Sequence, residues 1–385
     1  MTRALYFDFA AATPLDPRVL SVMEPFFTDE FYNPSSSYVA AKQVRQALQD
    51  ARAKVAHWLG AKPGEIVFTA GATESINLAV HGVLAAHPGG SVVVAATEHP
   101  AVLAAAANHV HTVVPVLADG TINLAALKAA ITDNTVLVSV ALANNEIGTI
   151  QPLRDIARVA QQVRELRRLK NNPLPLYIHT DASQAACYLG LQVSRLGVDL
   201  ATLNGGKMYG PKQTGVLFVK VGVTITPQIL GGGQEGGLRS GTENIAGAVG
   251  LATALDIAQS ERKVAAAKVA ALRDELERTI THALPHTIIN GNQKKRLPNN
   301  LHISWPGIDG ERLLMLLDER GVLASTGSAC AANKQTASHV LVACGLEPSA
   351  VQGSLRLTLG RTTSPSDVAR AAKIIVQAVK DVGNA

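Results

Sequence analysis

Four stretches of the chain set reactive or anion-seeking groups where a backbone turn would present them. Phe68-Thr69-Ala70-Gly71-Ala72-Thr73-Glu74-Ser75 reads as an apolar strand passing through a glycine into an amphipathic helix. Free backbone N–H groups and the helix dipole converge at such a start and make an anion site, most often for a phosphate. An ordinary N-cap by Thr73 is the competing reading. Tyr177-Ile178-His179-Thr180-Asp181-Ala182-Ser183-Gln184 puts a carboxylate at the C-terminal end of an apolar strand, where ligands sit in open α/β sheets. A partly buried acid there needs a cationic partner such as a protonated ring nitrogen; the alternative is that Asp181 caps the next helix. Leu203-Asn204-Gly205-Gly206-Lys207-Met208-Tyr209-Gly210-Pro211 sets a lysine among glycines that let a ligand approach the backbone. A lysine in a water-poor cleft can form a Schiff base, although most single lysines lie on the surface. Cys330 lies in the small, polar text Ser325-Thr326-Gly327-Ser328-Ala329-Cys330, which reads as a loop with a thiol available to react. Cys344 reads as helix core and Cys187 as packing under a helix start.

The elements that must position these groups follow from periodicity. Short apolar runs at Glu65–Thr69, Ser91–Ala95, His111–Val116, Val136–Leu142, Leu176–Thr180, Leu200–Leu203 and Gly215–Val219 alternate with helix-period segments such as Thr73–His87 and Leu153–Leu169. This is the pattern of βα units around a mostly parallel sheet. Leu153, Ile156, Ala157, Ala160, Val163 and Leu166 form one apolar stripe, and the basic residues of that helix's last turn suit its dipole. After Gly231–Gly241 the texture changes to long helices over roughly Thr242–Leu284, then shorter pieces, then a final helix from about Ser366. We read this as a second, α+β domain that begins near residue 258 without a flexible linker.

Composition removes several classes. The 385 residues are 47 % hydrophobic and 17 % charged, too apolar for a disordered chain. The net charge of +5 is not gathered into a stripe. Its densest clusters, Arg164-Arg167-Arg168-Lys170 and Lys294-Lys295-Arg296, lack interleaved aromatics and read as solvated surface, so no direct nucleic-acid binding is expected. Three distant cysteines make neither a disulfide framework nor, without histidines, a four-ligand zinc site, which fits a reducing compartment and no metal. The N-terminal text is no signal peptide, and Pro100–Ala118 is too polar and divided to span a membrane. A soluble, cytoplasmic protein is expected. Gly231-Gly232-Gly233-Gln234-Glu235-Gly236 nominally matches a dinucleotide fingerprint, yet no strand precedes it and no immediate helix follows, which disfavours a nicotinamide-binding oxidoreductase.

A phosphate cup, strand-end Asp, Gly-flanked Lys and loop Cys together suggest pyridoxal phosphate, which needs an anion site, a carboxylate against its ring nitrogen and a Schiff-base lysine. The sequence here resembles the cysteine desulfurase family, in its long-loop group, within the class V aminotransferases of pyridoxal phosphate fold type I. The likeness runs nearly end to end, through Tyr6-Phe7-Asp8-Phe9-Ala10-Ala11-Ala12-Thr13-Pro14, Asn33-Pro34-Ser35, Gly71-Ala72-Thr73-Glu74-Ser75, Thr97-Glu98-His99 and Asn144-Asn145-Glu146-Ile147-Gly148. It continues through His179-Thr180-Asp181-Ala182-Ser183-Gln184, Gly206-Lys207-Met208-Tyr209-Gly210-Pro211-Lys212, Arg239-Ser240-Gly241-Thr242, Gly327-Ser328-Ala329-Cys330 and Leu355-Arg356-Leu357-Thr358-Leu359-Gly360-Arg361.

The resemblance implies a large domain at 16–258 with a mostly parallel seven-stranded sheet. It implies a smaller α+β domain at 259–385 that carries the cysteine loop, joined by residues 1–15. It also implies roles: Lys207 bonded to the cofactor, His99 stacked on its ring as an acid/base, Asp181 on the pyridinium nitrogen and Gln184 on the phenolic oxygen. Ala72 and Thr73 would contact the phosphate, with Thr242 reaching in from the other subunit of a homodimer. Asn145 and Arg356 would anchor the substrate carboxylate. Cys330 would take sulfur from L-cysteine as a persulfide and leave L-alanine, with an Fe-S scaffold or another sulfur acceptor as partner. The chain departs from the family where Asn204-Gly205-Gly206 replaces the usual Ser-Gly-His, so Asn204 would serve the phosphate only in part. Residues 331–338 lack the family's usual text, and Arg164–Pro175 is longer. Open alternatives are another class V enzyme, such as a selenocysteine lyase or aminotransferase, and a non-catalytic homologue that acts as a binding partner.

Overall fold

A computed structural model describes residues 4–327 and 337–383 of the chain. Its strands, in chain order, are β1 (Leu5–Tyr6), β2 (Ile66–Thr69), β3 (Ser91–Ala95), β4 (His111–Val114), β5 (Thr135–Ser139), β6 (Tyr177–Asp181), β7 (Leu200–Asn204), β8 (Gly215–Val219), β9 (Ile288–Ile289), β10 (Asn300–Ser304), β11 (Val322–Leu323) and β12 (Ser354–Thr358). Strands β2 to β8 form one seven-stranded sheet in the order β2-β8-β7-β6-β5-β3-β4. It is parallel except for β8, which runs antiparallel to both neighbours. Val92, Val93 and Val94 of β3 are wholly buried. A β-branched run without polar alternation forms a strand sandwiched between two helix layers, which is why this text reads as parallel sheet. β4 ends at Val114, two residues short of the expected Val116, because Pro115 has no N–H for the ladder.

The helix Ala72–Ala86 begins with Gly71 as N-cap at φ 135, and no side chain caps it. Thr73 therefore lies inside the first turn and is not the cap, which corrects the competing sequence reading. The helix Leu153–Leu169 has the expected bounds, but its basic last turn is not simply solvated. Arg167 is buried and donates to the backbone oxygens of Leu174, Pro175, Thr132 and Thr135, so it staples the approaches to β5 and β6. Arg164 likewise holds Leu176 O and Asp199. In the second basic cluster, Arg296 is also buried, against Glu277. A helix-end arginine has the same pattern in sequence whether water or carbonyls receive its donors, which explains the misreading.

The expected group of long helices is one unbroken helix, Ile245–Ala283, of 39 residues. Leu251, Leu255 and Ala258 pack with Phe9, Val55 and the underside of the large sheet. Leu272, Leu276 and Ile280 pack instead with Leu301, Leu313, Leu355 and Ile375 around the antiparallel sheet β12-β10-β9. Leu5 and Phe7 join this second core, and β1 pairs in parallel with β11. Among the described residues no helix is long and apolar enough to cross a membrane.

Candidate active site

The C-terminal ends of β6 and β7 lie side by side, with Asp181 opposite Thr202. Asp181 Oδ1 accepts the Ser183 N–H at 2.9 Å, which fixes the carboxylate at the strand end. Behind it, His179 is wholly buried, with Nδ1 2.8 Å from Ser139 Oγ and Nε2 3.0 Å from Thr202 Oγ1. Burial lowers its pKa to about 4 against the opposing pull of Asp181, so this imidazole is a neutral part of the floor.

Lys207 ends a single 3₁₀ turn, Gly205–Lys207, that follows β7. Asn204 Oδ1 caps that turn by accepting the Gly206 N–H at 3.0 Å, which commits its carbonyl and leaves only its NH₂ for any anion. The turn requires glycine at 205, where a Cβ would lie 2.2 Å from Thr214 Oγ1. Lys207 Nζ donates to Ala10 O at 2.9 Å and to Ala11 O at 2.6 Å. Gln184 Nε2 donates to the same Ala10 oxygen at 3.0 Å. The N-terminal segment is pinned over the turn by Thr13, whose Oγ1 donates to Gly206 O and accepts from Tyr209 N.

His99 caps the helix Pro100–Ala106, its Nδ1 accepting the Ala101 N–H at 3.1 Å. The neutral ring therefore carries its proton on Nε2. Burial lowers the His99 pKa, Asp181 opposes that shift, and Lys207 and His339 add to it. Asp181 and Lys207 thus both lie within electrostatic reach of His99. Arg356, 2 % exposed in mid-β12, donates from Nη2 to Asp8 Oδ1 at 2.7 Å and from Nη1 to Asn145 O at 3.1 Å. Its buried Nε has no partner among the described residues, so an oriented donor remains for a carboxylate.

The uncapped helix start at Ala72 and Thr73 leaves first-turn N–H groups for an anion, and Glu74 beside it is held by Arg239 at 2.9 Å. A Cβ at Gly71 would meet nothing within 4 Å, so the approach to this turn is open. Thr242 is exposed and lines a cleft with Thr69, Ala70 and Gly215. Cys330 lies outside the described residues. Cys187 and Cys344 are buried, and burial pushes both thiols up to about 11, so neither is a ready nucleophile. The fingerprint-like Gly231–Gly236 has no dinucleotide-binding context. Its Glu235 sits in a short 3₁₀ turn and pairs through both oxygens with Arg52, while Oε2 also accepts the Phe68 N–H.

Four residues carry more than the sequence reading gave them. Ala10 and Ala11 act only through carbonyls, which side-chain reasoning cannot see. Glu98 and Glu146 are 1 % exposed, and both stood inside quoted motifs without a role. The signal was a lone acid in strand-end text otherwise free of charge.

An uncapped helix start, a fixed strand-end carboxylate, a lysine amine and a half-buried imidazole fit pyridoxal phosphate in donor type and number. The description "Aminotransferase class-V" matches residues 5–370. Cysteine desulfurase IscS of Methanosarcina thermophila is 39 % identical, over 99 % of this chain and 93 % of the relative. Cysteine desulfurase IscS of Dictyoglomus turgidum is 38 % identical, over 96 % of this chain and 92 % of its own. Among solved structures, a NifS-like protein superposes with a TM-score of 0.89 at 34 % identity, covering 98 % of this chain and 100 % of the other. SspA in complex with cysteine superposes at 0.80 with 33 % identity, covering 93 % of this chain and 99 % of the other. The chain belongs to the class V aminotransferases, enzymes of the pyridoxal phosphate fold seen here. Within that class it belongs with the cysteine desulfurases.

Proposed function

We propose that the chain is a pyridoxal phosphate-dependent cysteine desulfurase that converts L-cysteine to L-alanine and leaves the sulfur as a persulfide on Cys330. The observation that carries this reading is Lys207 Nζ held by the Ala10 and Ala11 oxygens beside Gln184, with Asp181 and Lys207 both within electrostatic reach of His99. The full-length likeness to cysteine desulfurases supports it over transamination, selenocysteine lysis or a non-catalytic role.

When bound, pyridoxal phosphate supplies an electron sink for bonds broken at the substrate Cα. Lys207 would hold it through Nζ, Asp181 would keep its ring nitrogen protonated, and Gln184 would offer an amide N–H to its phenolic oxygen. Ala72 and Thr73 would hold the phosphate, and Asn204 would contribute at most its NH₂. Arg356 and Asn145 orient the substrate carboxylate, which leaves the Cα proton for Lys207 to move. His99 exchanges its Nε2 proton. The Cys330 thiolate attacks the substrate sulfur; the carbon–sulfur bond breaks, its electron pair stays on carbon, and a proton there completes alanine.

Thr242 serves the phosphate of a partner subunit in a homodimer. An apolar surface supports that assembly: exposed Phe31 stacks on Tyr32, which packs on the Val44, Leu48, Ile245 and Ala248 cluster beside the Thr242 cleft. Sulfur then passes to an Fe-S scaffold or tRNA-thiolation protein in the cytoplasm. Residues 16–258 form the large domain and 259–385 the small one, joined by 1–15.

The test is the visible spectrum of the purified protein before and after borohydride and after L-cysteine. We expect a cofactor band that borohydride traps on Lys207 and that shifts with cysteine. In Cys330→Ala the band and shift should survive while alanine and sulfide formation stop. A protein that stays colourless with added cofactor, or a Cys330→Ala variant with full turnover, defeats the reading.

A further inference from the structure

Strands β10 and β12 alternate strictly. Their leucines and Ile303 join the second core, whereas Asn300, His302, Ser304, Ser354, Arg356 and Thr358 share the opposite face. An antiparallel sheet with one polar face commonly gives that face to water. Here all six polar residues are buried, so their donors and acceptors must be met inside the protein or by a ligand. Arg356, the proposed carboxylate anchor, is one of them; Asp8 and Asn145 hold its two Nη groups.

His302 stands directly opposite Arg356 in the β10–β12 register. The backbone bonds of the two residues point away from each other. His302 O accepts the Asn290 N–H at 2.9 Å on the β9 side, and Arg356 exchanges bonds with Ser325 on the far side. Opposed residues without a bond between them are the closest pairs in an antiparallel ladder, with Cα atoms about 4.5 Å apart and side chains on one face. The imidazole therefore packs beside the Arg356 side chain. Asn290 fixes it from the other edge: Nδ2 is 3.0 Å from His302 Nδ1 and donates to Ser304 Oγ at 2.7 Å. Nδ1 thus accepts, and the proton sits on Nε2. Among the described residues neither that Nε2 nor Arg356 Nε has a partner. Two N–H donors cannot bond each other, so the ring acts on the arginine by shape. Burial, with Arg356 adding to it, lowers the His302 pKa to about 3, so the ring brings no second charge beside the guanidinium.

We propose that His302 is a positioning residue for Arg356: a neutral ring, held by Asn290, that confines the guanidinium to the pose in which it receives the substrate carboxylate. This rests on the anchoring role that the desulfurase reading gives Arg356. The contact should strengthen binding of substrates that carry a carboxylate and leave the chemistry at the cofactor alone.

The test uses the holoenzyme and reads the cofactor's spectral response by stopped flow. L-cysteine is compared with cysteamine, which has the same amine and thiol and no carboxylate. In His302→Asn, whose amide oxygen can still accept from Asn290, the cysteine concentration for half response should rise roughly tenfold. The value for cysteamine should stay within about twofold, and KM for cysteine should rise while kcat for alanine stays within about twofold. Should His302→Asn not fold, His302→Gln, nearer the ring in volume, gives the same comparison with the same signs. Arg356→Met combined with His302→Asn should bind cysteine no more weakly than Arg356→Met alone, since both changes act through one guanidinium. Equal weakening for cysteine and cysteamine, wild-type cysteine binding in His302→Asn, or a double variant that loses the sum of both effects would each overturn the proposal. Wild-type cysteine binding in Arg356→Met would remove the anchor, and this proposal with it. A wild type that responds to cysteine yet makes no alanine defeats the desulfurase reading and leaves the His302 comparison to stand or fall on binding.

Discussion

At the residue scale, the acids of the pocket divide by what receives them. Asp181 has a backbone donor and lies within electrostatic reach of His99, whereas Glu98 has one donor, Ala141 N–H at 2.8 Å, and a buried Oε2 without a partner among the described residues. Burial pushes the Glu98 carboxyl up to about 8, with nearby Asp181 adding to the shift, so it stays protonated near neutrality. The sign of its effect on stability follows. A raised native pKa means the native state keeps its proton while the unfolded chain ionises, so Glu98 costs nothing below about 4.5 and costs progressively more as pH rises toward 8. Glu98→Gln, neutral at every pH, should therefore match the wild type in urea unfolding at pH 4.5 and exceed it by roughly a few kcal/mol at pH 8. An equal difference at both pH values would show that Glu98 titrates normally. Lys207 and Asp181 were legible because glycines and a strand end mark them in the text. Glu98 was not, since only the fold shows that strand-end text is fully enclosed.

At the element scale, two glycines decide how the anion-binding turn meets the sheet. Gly215 opens β8, and a Cβ there would lie 2.5 Å from Gly71 C and 2.7 Å from Gly71 Cα. Contact that close forces the turn before Ala72 away from the strand. Gly215→Ala should weaken cofactor binding about tenfold or more in an absorbance titration, one decade for each ~1.4 kcal/mol of displacement cost. Gly64→Ala, where a Cβ meets nothing within 4 Å, is the matched control and should bind as the wild type does. Equal binding by both variants would mean the turn yields without loss. The strands were legible because β-branched runs such as Val92–Val94 have one structural use. The reversal of β8 was not, since strand direction leaves no periodic trace. Nor was the unbroken helix Ile245–Ala283, whose apolar stripe changes partner midway.

At the scale of the whole molecule, the apolar surface around Phe31 lies beside Thr242, so in the proposed homodimer assembly and cofactor retention should fail together. Phe31 is 67 % exposed, so a charge there does not disturb the chain's own core. Phe31→Glu should halve the mass seen by light scattering and weaken cofactor binding about tenfold, the cost of one lost phosphate hydrogen bond. A monomeric variant that binds cofactor at full strength would remove the partner's threonine from the site. The two cores also meet at the start of the chain. Asp8 pairs with Arg356, Thr358 donates to Phe7 O, and Ala10 and Ala11 receive Lys207. During synthesis the first dozen residues leave the ribosome hundreds of residues before the strand that holds them. The lysine's cradle cannot close on a growing polypeptide, so capture of the cofactor is an event of the finished chain.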